Sequence, residues 1–116
     1  MHIVDWFPTI AQVIAYQTPS NIGWDGVDQS KTILMGTNSP ERDFYWVQSN
    51  HRRAVRHDDW KVVCYSRKIP QDPSDWALYN LSKDPLEEND LSSKHPKVLV
   101  NLHNRFLKHQ ALDKIN

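Results

Sequence analysis

The chain has one cysteine, three glycines and no surplus of charge of either sign. A single cysteine, Cys64, forbids an internal disulfide and any zinc centre built on cysteines. It stands beside Val62 and Val63 in a strand-like run, where a small buried apolar side chain is the plain reading and a nucleophile the chemical alternative. No glycine-rich loop able to cradle a phosphate can be found. Fourteen Lys and Arg cancel fourteen Asp and Glu, so no long-range field draws nucleic acid or an anionic membrane, and neither is expected as a partner. No run of about 18 apolar residues exists to cross a bilayer. The opening Met1-His2-Ile3-Val4-Asp5 lacks the basic and long apolar regions of a signal peptide, and localisation stays open.

What is present is aromatic bulk on a polar background. The 116 residues hold five Trp, four Tyr and three Phe, with a mean hydropathy of −0.69. One modest core is within reach of a chain this long, and such a composition suits a core partly completed by something else. A helix is predicted from Asp5 to Tyr16, with Asp5 as N-cap, Pro8 in the first turn, and Phe7, Ile10, Ala11, Val13 and Ile14 at near-helical spacing. With Trp6 added, most of its circumference is apolar, and it calls for burial on several sides. Residues 17 to 42 read as connection, with turn signals at Thr18-Pro19-Ser20-Asn21, Asp25-Gly26, Gly36 and Asn38-Ser39-Pro40, and one helical turn from Ser30 to Met35.

The remainder reads as strands followed by a helix. Asp43 to Gln48 has strong β-propensity. Arg53 to Arg56 and Trp60 to Tyr65 form a hairpin about His57-Asp58-Asp59. A charged loop with two prolines leads to a fourth strand, Trp76 to Asn80, which Asp84-Pro85 ends. Pro96 opens the last helix, whose stripe Val98, Leu99, Leu102, Phe106 and Leu107 opposes Lys97, Asn101, Asn104, Arg105 and Lys108. The fold class expected is α+β: a four-stranded antiparallel sheet covered by a C-terminal helix, preceded by an N-terminal helix and a long irregular connection. Either Val55 with Val62 and Cys64, or Ala54 with Val63, would face the helix, since a one-residue shift swaps the faces.

Three segments together carry a family resemblance. His2-Ile3-Val4-Asp5-Trp6-Phe7-Pro8-Thr9-Ile10, the hairpin Ala54-Val55-Arg56-His57-Asp58-Asp59-Trp60-Lys61-Val62-Val63, and Leu78-Tyr79-Asn80-Leu81 with Asp84-Pro85 and Glu87 resemble, in this order and spacing, the C-terminal part of the formylglycine-dependent sulfatases. The hairpin departs by His57-Asp58 where the family often has x-Gly, and the last strand by Ala77 for Glu and Asn80 for Asp. The resemblance implies an alkaline-phosphatase-like parent whose catalysis lies upstream. There a Cys-x-Pro-x-Arg cysteine becomes formylglycine, acidic side chains hold calcium, and Lys and His bind sulfate. Cys64 is followed by Tyr65-Ser66-Arg67 and does not match that motif, so no catalytic or metal-binding residue is assigned to this chain. Residues 1–42 would belong to the large sulfatase domain and 43–116 to the C-terminal subdomain. The partner implied is the missing catalytic domain or an equivalent apolar surface; in the isolated chain Trp6 and Phe7 are expected either to stay exposed or to be buried by self-association.

Among side chains that carry chemistry, Asn50-His51-Arg52-Arg53 with Arg56 stands out. His51, Arg52, Arg53 and Arg56 are the candidates for the rim of a substrate pocket, because a guanidinium binds sulfate through a two-pronged fork. The alternative is a solvated strand end whose arginines pair with Asp43, Asp58 or Asp59. Tyr45 and Trp46 can stack on a sugar or pack in a core. His51 and His57 lie about 20 Å apart along a strand, too far to share a metal ion. His95 is placed at a helix cap, and His103 and His109 on the polar or boundary face of the last helix. Asn80-Leu81-Ser82 is a glycosylation sequon. The function expected is a sulfatase fragment with a structural and pocket-edge role. A non-catalytic interaction module and the C-terminal part of a phosphonate or phosphate ester hydrolase stand as alternatives.

Overall fold

In the computed structural model, the structure describes residues 1–19, 22–48, 52–66, 68, 70 and 72–113. The chain separates into two compact units, Met1–Glu41 and Arg42–Asn116.

In the first unit a 3-10 turn, Ile3–Asp5, runs into helix α1, Trp6–Val13. Asp5 does not cap α1 as the sequence predicts. Its carboxylate, fully buried, accepts the N–H groups of His2 (2.6 Å) and Val27 (3.0 Å), tying the returning connection to the helix start. Gly26 makes that approach possible: a Cβ there would lie 1.9 Å from the Val4 carbonyl oxygen. The helix stops three residues before Tyr16 because Ala15 turns left-handed, at φ 54°. The Tyr16 N–H then donates to the Ala11 carbonyl (2.8 Å) and the Ala15 N–H to that of Gln12 (3.2 Å), a Schellman closure built without glycine. Helix α2, Ser30–Met35, sits where the sequence places it. The Ser30 N–H donates to Asp28 (2.8 Å), and the helix ends on left-handed Gly36.

The second unit is the expected sheet and helix. Strands β1 (Asp43–Gln48), β2 (Arg52–His57), β3 (Trp60–Cys64) and β4 (Ala77–Asn80) lie side by side in chain order, all antiparallel. Val55 pairs with Val62, and Val62 with Leu78. This register resolves the open choice of face. Val55, Val62, Cys64 and Leu78 form one buried cluster with Leu99, Leu102 and Phe106 of helix α3, Pro96–Asp113. Trp76, at the entry to β4, closes the cluster: its ring centroid lies 4.7 Å from that of Phe106. Each such side chain contributes about 1.5–3 kcal/mol through burial. Ala54 and Val63 pair with each other on the opposite face. The outer edge of β4 is satisfied locally. The Leu78 N–H donates to Asp90 (3.0 Å), and its carbonyl accepts from the Leu91 N–H (2.7 Å).

Candidate functional site

The arginine cluster read from the sequence is divided by the pleat of β2. Successive side chains point to opposite faces, so Arg53 goes to the helix side while Arg52 and Arg56 go to the open side. Arg53 is buried and its guanidinium donates to the Ser66 carbonyl at 2.6 Å. Arg56 turns back to donate to the Asp58 carbonyl at 2.7 Å, which fixes the tight hairpin where Asp58 takes a φ of 52°. Arg52 is exposed, with its guanidinium 5.6 Å from the Tyr65 ring centroid. His51 and Asn50 lie outside the described residues.

Arg52 belongs to an open groove of about 490 Å³, floored by Ala54 and Val63 and walled by Trp46, Lys61 and Tyr65. Trp46 stacks on Phe44 at 5.9 Å, and the Lys61 ammonium is paired with Glu87. Aromatic faces beside a guanidinium can hold an anionic ring compound by stacking and forked hydrogen bonding. Tyr45, the other stacking candidate, faces the helix instead. It packs 5.2 Å from Phe106 and 5.5 Å from His109. Burial, with the Asp113 carboxylate nearby, pushes its phenol up to about 12, so it stays protonated.

A second cluster was not legible beforehand. Asp43, at the start of β1, receives three cationic or imidazole groups from two elements. His57 Nδ1 and an Arg105 guanidinium nitrogen each lie 2.8 Å from Oδ1, and His109 Nε2 lies 3.0 Å from Oδ2. Burial raises the Asp43 carboxyl, but the His109, Arg105 and His57 contacts outweigh it, leaving the group below the ordinary carboxylate range. The cluster clamps α3 to the edge of the sheet. The predicted pairing of Asp43 with a hairpin arginine is replaced by pairing with Arg105, from a helix 62 residues on. Only the β1–β2 register, which sets Asp43 opposite His57, could have pointed to it.

Packing corrects one expectation and refines two others. His103 is buried, edge-on to Trp76 at 5.4 Å and 3.3 Å from the Pro70 carbonyl; it belongs to the core, not the polar face. His109 keeps the boundary position expected of it, partly exposed and turned to Asp43. Asn80 is buried, and its side-chain oxygen accepts from the Ser82 hydroxyl at 2.7 Å and the Lys83 N–H at 3.3 Å, so the sequon's asparagine is held by the turn that follows β4. His95 is at the helix start as predicted, its carbonyl accepting the Leu99 N–H (3.1 Å). Cys64 is buried and burial pushes its thiol up, the reverse of what a nucleophile needs. Among the described residues, no three His, Cys, Asp or Glu side chains converge to hold a metal ion.

No family model matches the chain. Among curated proteins it is 27% identical over 149 aligned residues to arylsulfatase J of Mus musculus, with 91% of this chain and 25% of that protein covered. It is 26% identical to an N-acetylgalactosamine-6-O-sulfatase of Bacteroides thetaiotaomicron, over 85% of this chain and 21% of that protein. Solved structures agree on the fold. One, in complex with its substrate D-glucosamine-2-N,6-O-disulfate, superposes with a TM-score of 0.68 at 18% identity, covering 97% of this chain and 24% of its own. Another, from work on glycosaminoglycan metabolism by Bacteroides thetaiotaomicron, gives 0.66 at 21%, covering 96% and 24%. The chain is homologous to sulfatases. It spans about a quarter of the length of the curated relatives it matches, which is consistent with a C-terminal sulfatase region.

Proposed function

We propose that this chain is the C-terminal portion of a sulfuric ester hydrolase, lending structure and a pocket edge to catalytic groups held in the remainder of such a protein. The observation that carries the reading is the match itself: 85 to 91% of the chain aligns with sulfatases of which it covers 21 to 25%. Formylglycine and calcium do not fit the residues here. Cys64 is sealed in the core with a raised thiol, and no acidic cluster accompanies it among the described residues. Both groups would therefore belong to the part of the parent that this chain does not span. A covering role is supported by the first unit, where Trp6, Phe7, Ile10 and Ile14 are about half or more exposed, as expected of a surface completed by a larger body. Of the rim candidates, Arg52 is the best supported, since Arg53 and Arg56 are engaged by the Ser66 and Asp58 carbonyls.

Two experiments test the reading. Purified residues 1–116 should release no product from an aryl sulfate above a heat-treated control, because no nucleophile is matched to a base among the described residues. Turnover that survives Cys64→Ala would overturn the non-catalytic part. The coding sequence upstream of Met1 should contain an in-frame Cys-x-Pro-x-Arg; an unrelated frame there would overturn the parent.

A further inference from the structure

The two edges of the sheet are treated differently. Beyond β4, the Asp90 carboxylate and Leu91 N–H take up the outward polar groups of Leu78. Beyond β1, no strand pairs among the described residues. Edge strands in natural proteins are usually blunted by lysine, proline or a bulge. The β1 sequence, Asp43-Phe44-Tyr45-Trp46-Val47-Gln48, contains neither residue, and its register with β2 runs without a bulge. Trp46 and Val47 are 38% and 48% exposed. The one formal charge on the strand, Asp43, is already compensated by His57, Arg105 and His109.

The ladder fixes which groups point outward. His57 and Trp60 close a two-residue turn, so they form a hydrogen-bonded pair and His57 directs its backbone groups to β3. Arg56 therefore directs its own to Phe44 in β1. By alternation Phe44, Trp46 and Gln48 bond inward, leaving Asp43, Tyr45 and Val47 with outward N–H and C=O groups.

We infer that this edge pairs with the same edge of a second copy of the chain, antiparallel about a two-fold axis through Tyr45. That register sets Tyr45 against its counterpart and Phe44 against the second copy's Trp46 on the open face. It sets Asp43 against Val47, so the two carboxylates stay apart, and it forms about six backbone hydrogen bonds. The chain carries a formal net charge of zero at pH 7, so two copies meet without long-range repulsion. One six-residue edge buries well under the roughly 800 Å² per partner of a stable interface, so the dimer is weak, with a dissociation constant on the order of 0.1–1 mM. The inference does not depend on the sulfatase reading.

Sedimentation velocity of residues 1–116 from micromolar to millimolar concentration tests it, with amide exchange at both ends of the range. A monomer–dimer transition is expected, with Tyr45 and Val47 amides gaining protection on concentration while those of Phe44 and Trp46 are already protected when dilute. Val47→Pro removes an outward donor without touching the ladder to β2, and Val47→Lys places a charge on the edge. Both should weaken dimerisation at least about tenfold and leave the dilute-solution melt of Val47→Lys near that of the parent chain. A chain monomeric at all concentrations, or association unaffected by Val47→Lys, would overturn the inference; the second result would locate self-association elsewhere, such as on the apolar face of α1.

Discussion

Unit Met1–Glu41 hides Asp5, Thr9, Gln29 and Ser30, each at most 7% exposed, and shows Ile3, Ile14, Leu34 and Met35 at 65% or more. Unit Arg42–Asn116 does the reverse, sealing Val55, Val62, Trp76, Leu78 and Phe106 below 2%. The first unit is held by directed hydrogen bonds to a few buried polar groups: Asp5 to His2 and Val27, Thr9 to the Gln29 N–H (2.9 Å), and the Ser39 hydroxyl to Gln29 (2.7 Å). Such bonds add only about 0.5–1.5 kcal/mol each. The second is held by apolar burial, which is larger and cooperative. A unit with polar groups inside and apolar side chains outside is what the proposed covering by a larger body would require, whereas an apolar core is the ordinary basis of independent stability. That contrast is the physical content of the sulfatase-fragment reading, and each prediction below is a way to break or sharpen it.

The largest effect belongs to the self-sustaining unit. Phe106→Ala should cost about 3–5 kcal/mol, because the ring is fully buried between Trp76 and Tyr45 and leaves a cavity. Ile14→Ser, at the exposed C-cap of α1, should change stability by no more than about 0.5 kcal/mol. Urea melts of both variants measure this. Comparable losses would erase the distinction between the units.

Next comes the Asp43 clamp, which fastens α3 to β1. Asp43→Asn removes the charge that Arg105, His57 and His109 share, and should cost about 1–3 kcal/mol. The pH dependence follows from the lowered Asp43 carboxyl. Its contribution is complete above the unfolded carboxylate value of about 4 and disappears as pH falls through the lower folded value. Asp84, lowered by the Asn89 and Glu88 N–H groups, and Asp90, where desolvation raises the carboxyl but the Leu78 and Ser92 N–H groups together outweigh it, act in the same direction. The parent chain should therefore lose stability on acidification below about pH 4, with Asp43→Asn showing a shallower loss. Melts between pH 3 and 7 give the comparison, and parallel curves would deny the clamp.

The smallest effects are gains. Ala15 and Asp58 hold left-handed backbone, at φ 54° and 52°, a conformation that glycine adopts without the Cβ penalty. Ala15→Gly and Asp58→Gly should each raise stability by about 0.5–1 kcal/mol, read as a small upward shift of the melt. A fall in either case would mean that the lost side-chain contact outweighs the backbone relief.

Local pattern made much of this readable in advance. The bounds of β1 and α2, the hairpin turn, and the stripe Leu99, Leu102 and Phe106 all follow from propensity and period. What was hidden depends on contacts distant in sequence. Arg53 and Arg52 look alike in the chain, and only the pleat sends one beneath the helix and the other into the groove. His103 sits on a helix rich in polar residues, yet Trp76, 27 residues earlier, encloses it. Asp5 has the form of an N-cap, but Val27 takes its carboxylate. The site was legible as a cluster of arginines and not as a groove, because its walls, Trp46 from β1 and Lys61 and Tyr65 from the β3 segment, are brought together only by strand register.

Hydrogen exchange in dilute monomer tests the contrast between the units most directly. The account predicts that amides from Phe7 to Val13 in α1 exchange orders of magnitude faster than those of Val55 and Val62 in the hairpin, since α1 opens locally when nothing covers its apolar face. Equal protection of the two segments, in a sample shown to be monomeric, would contradict the claim that the first unit is built to be covered by the rest of a sulfatase.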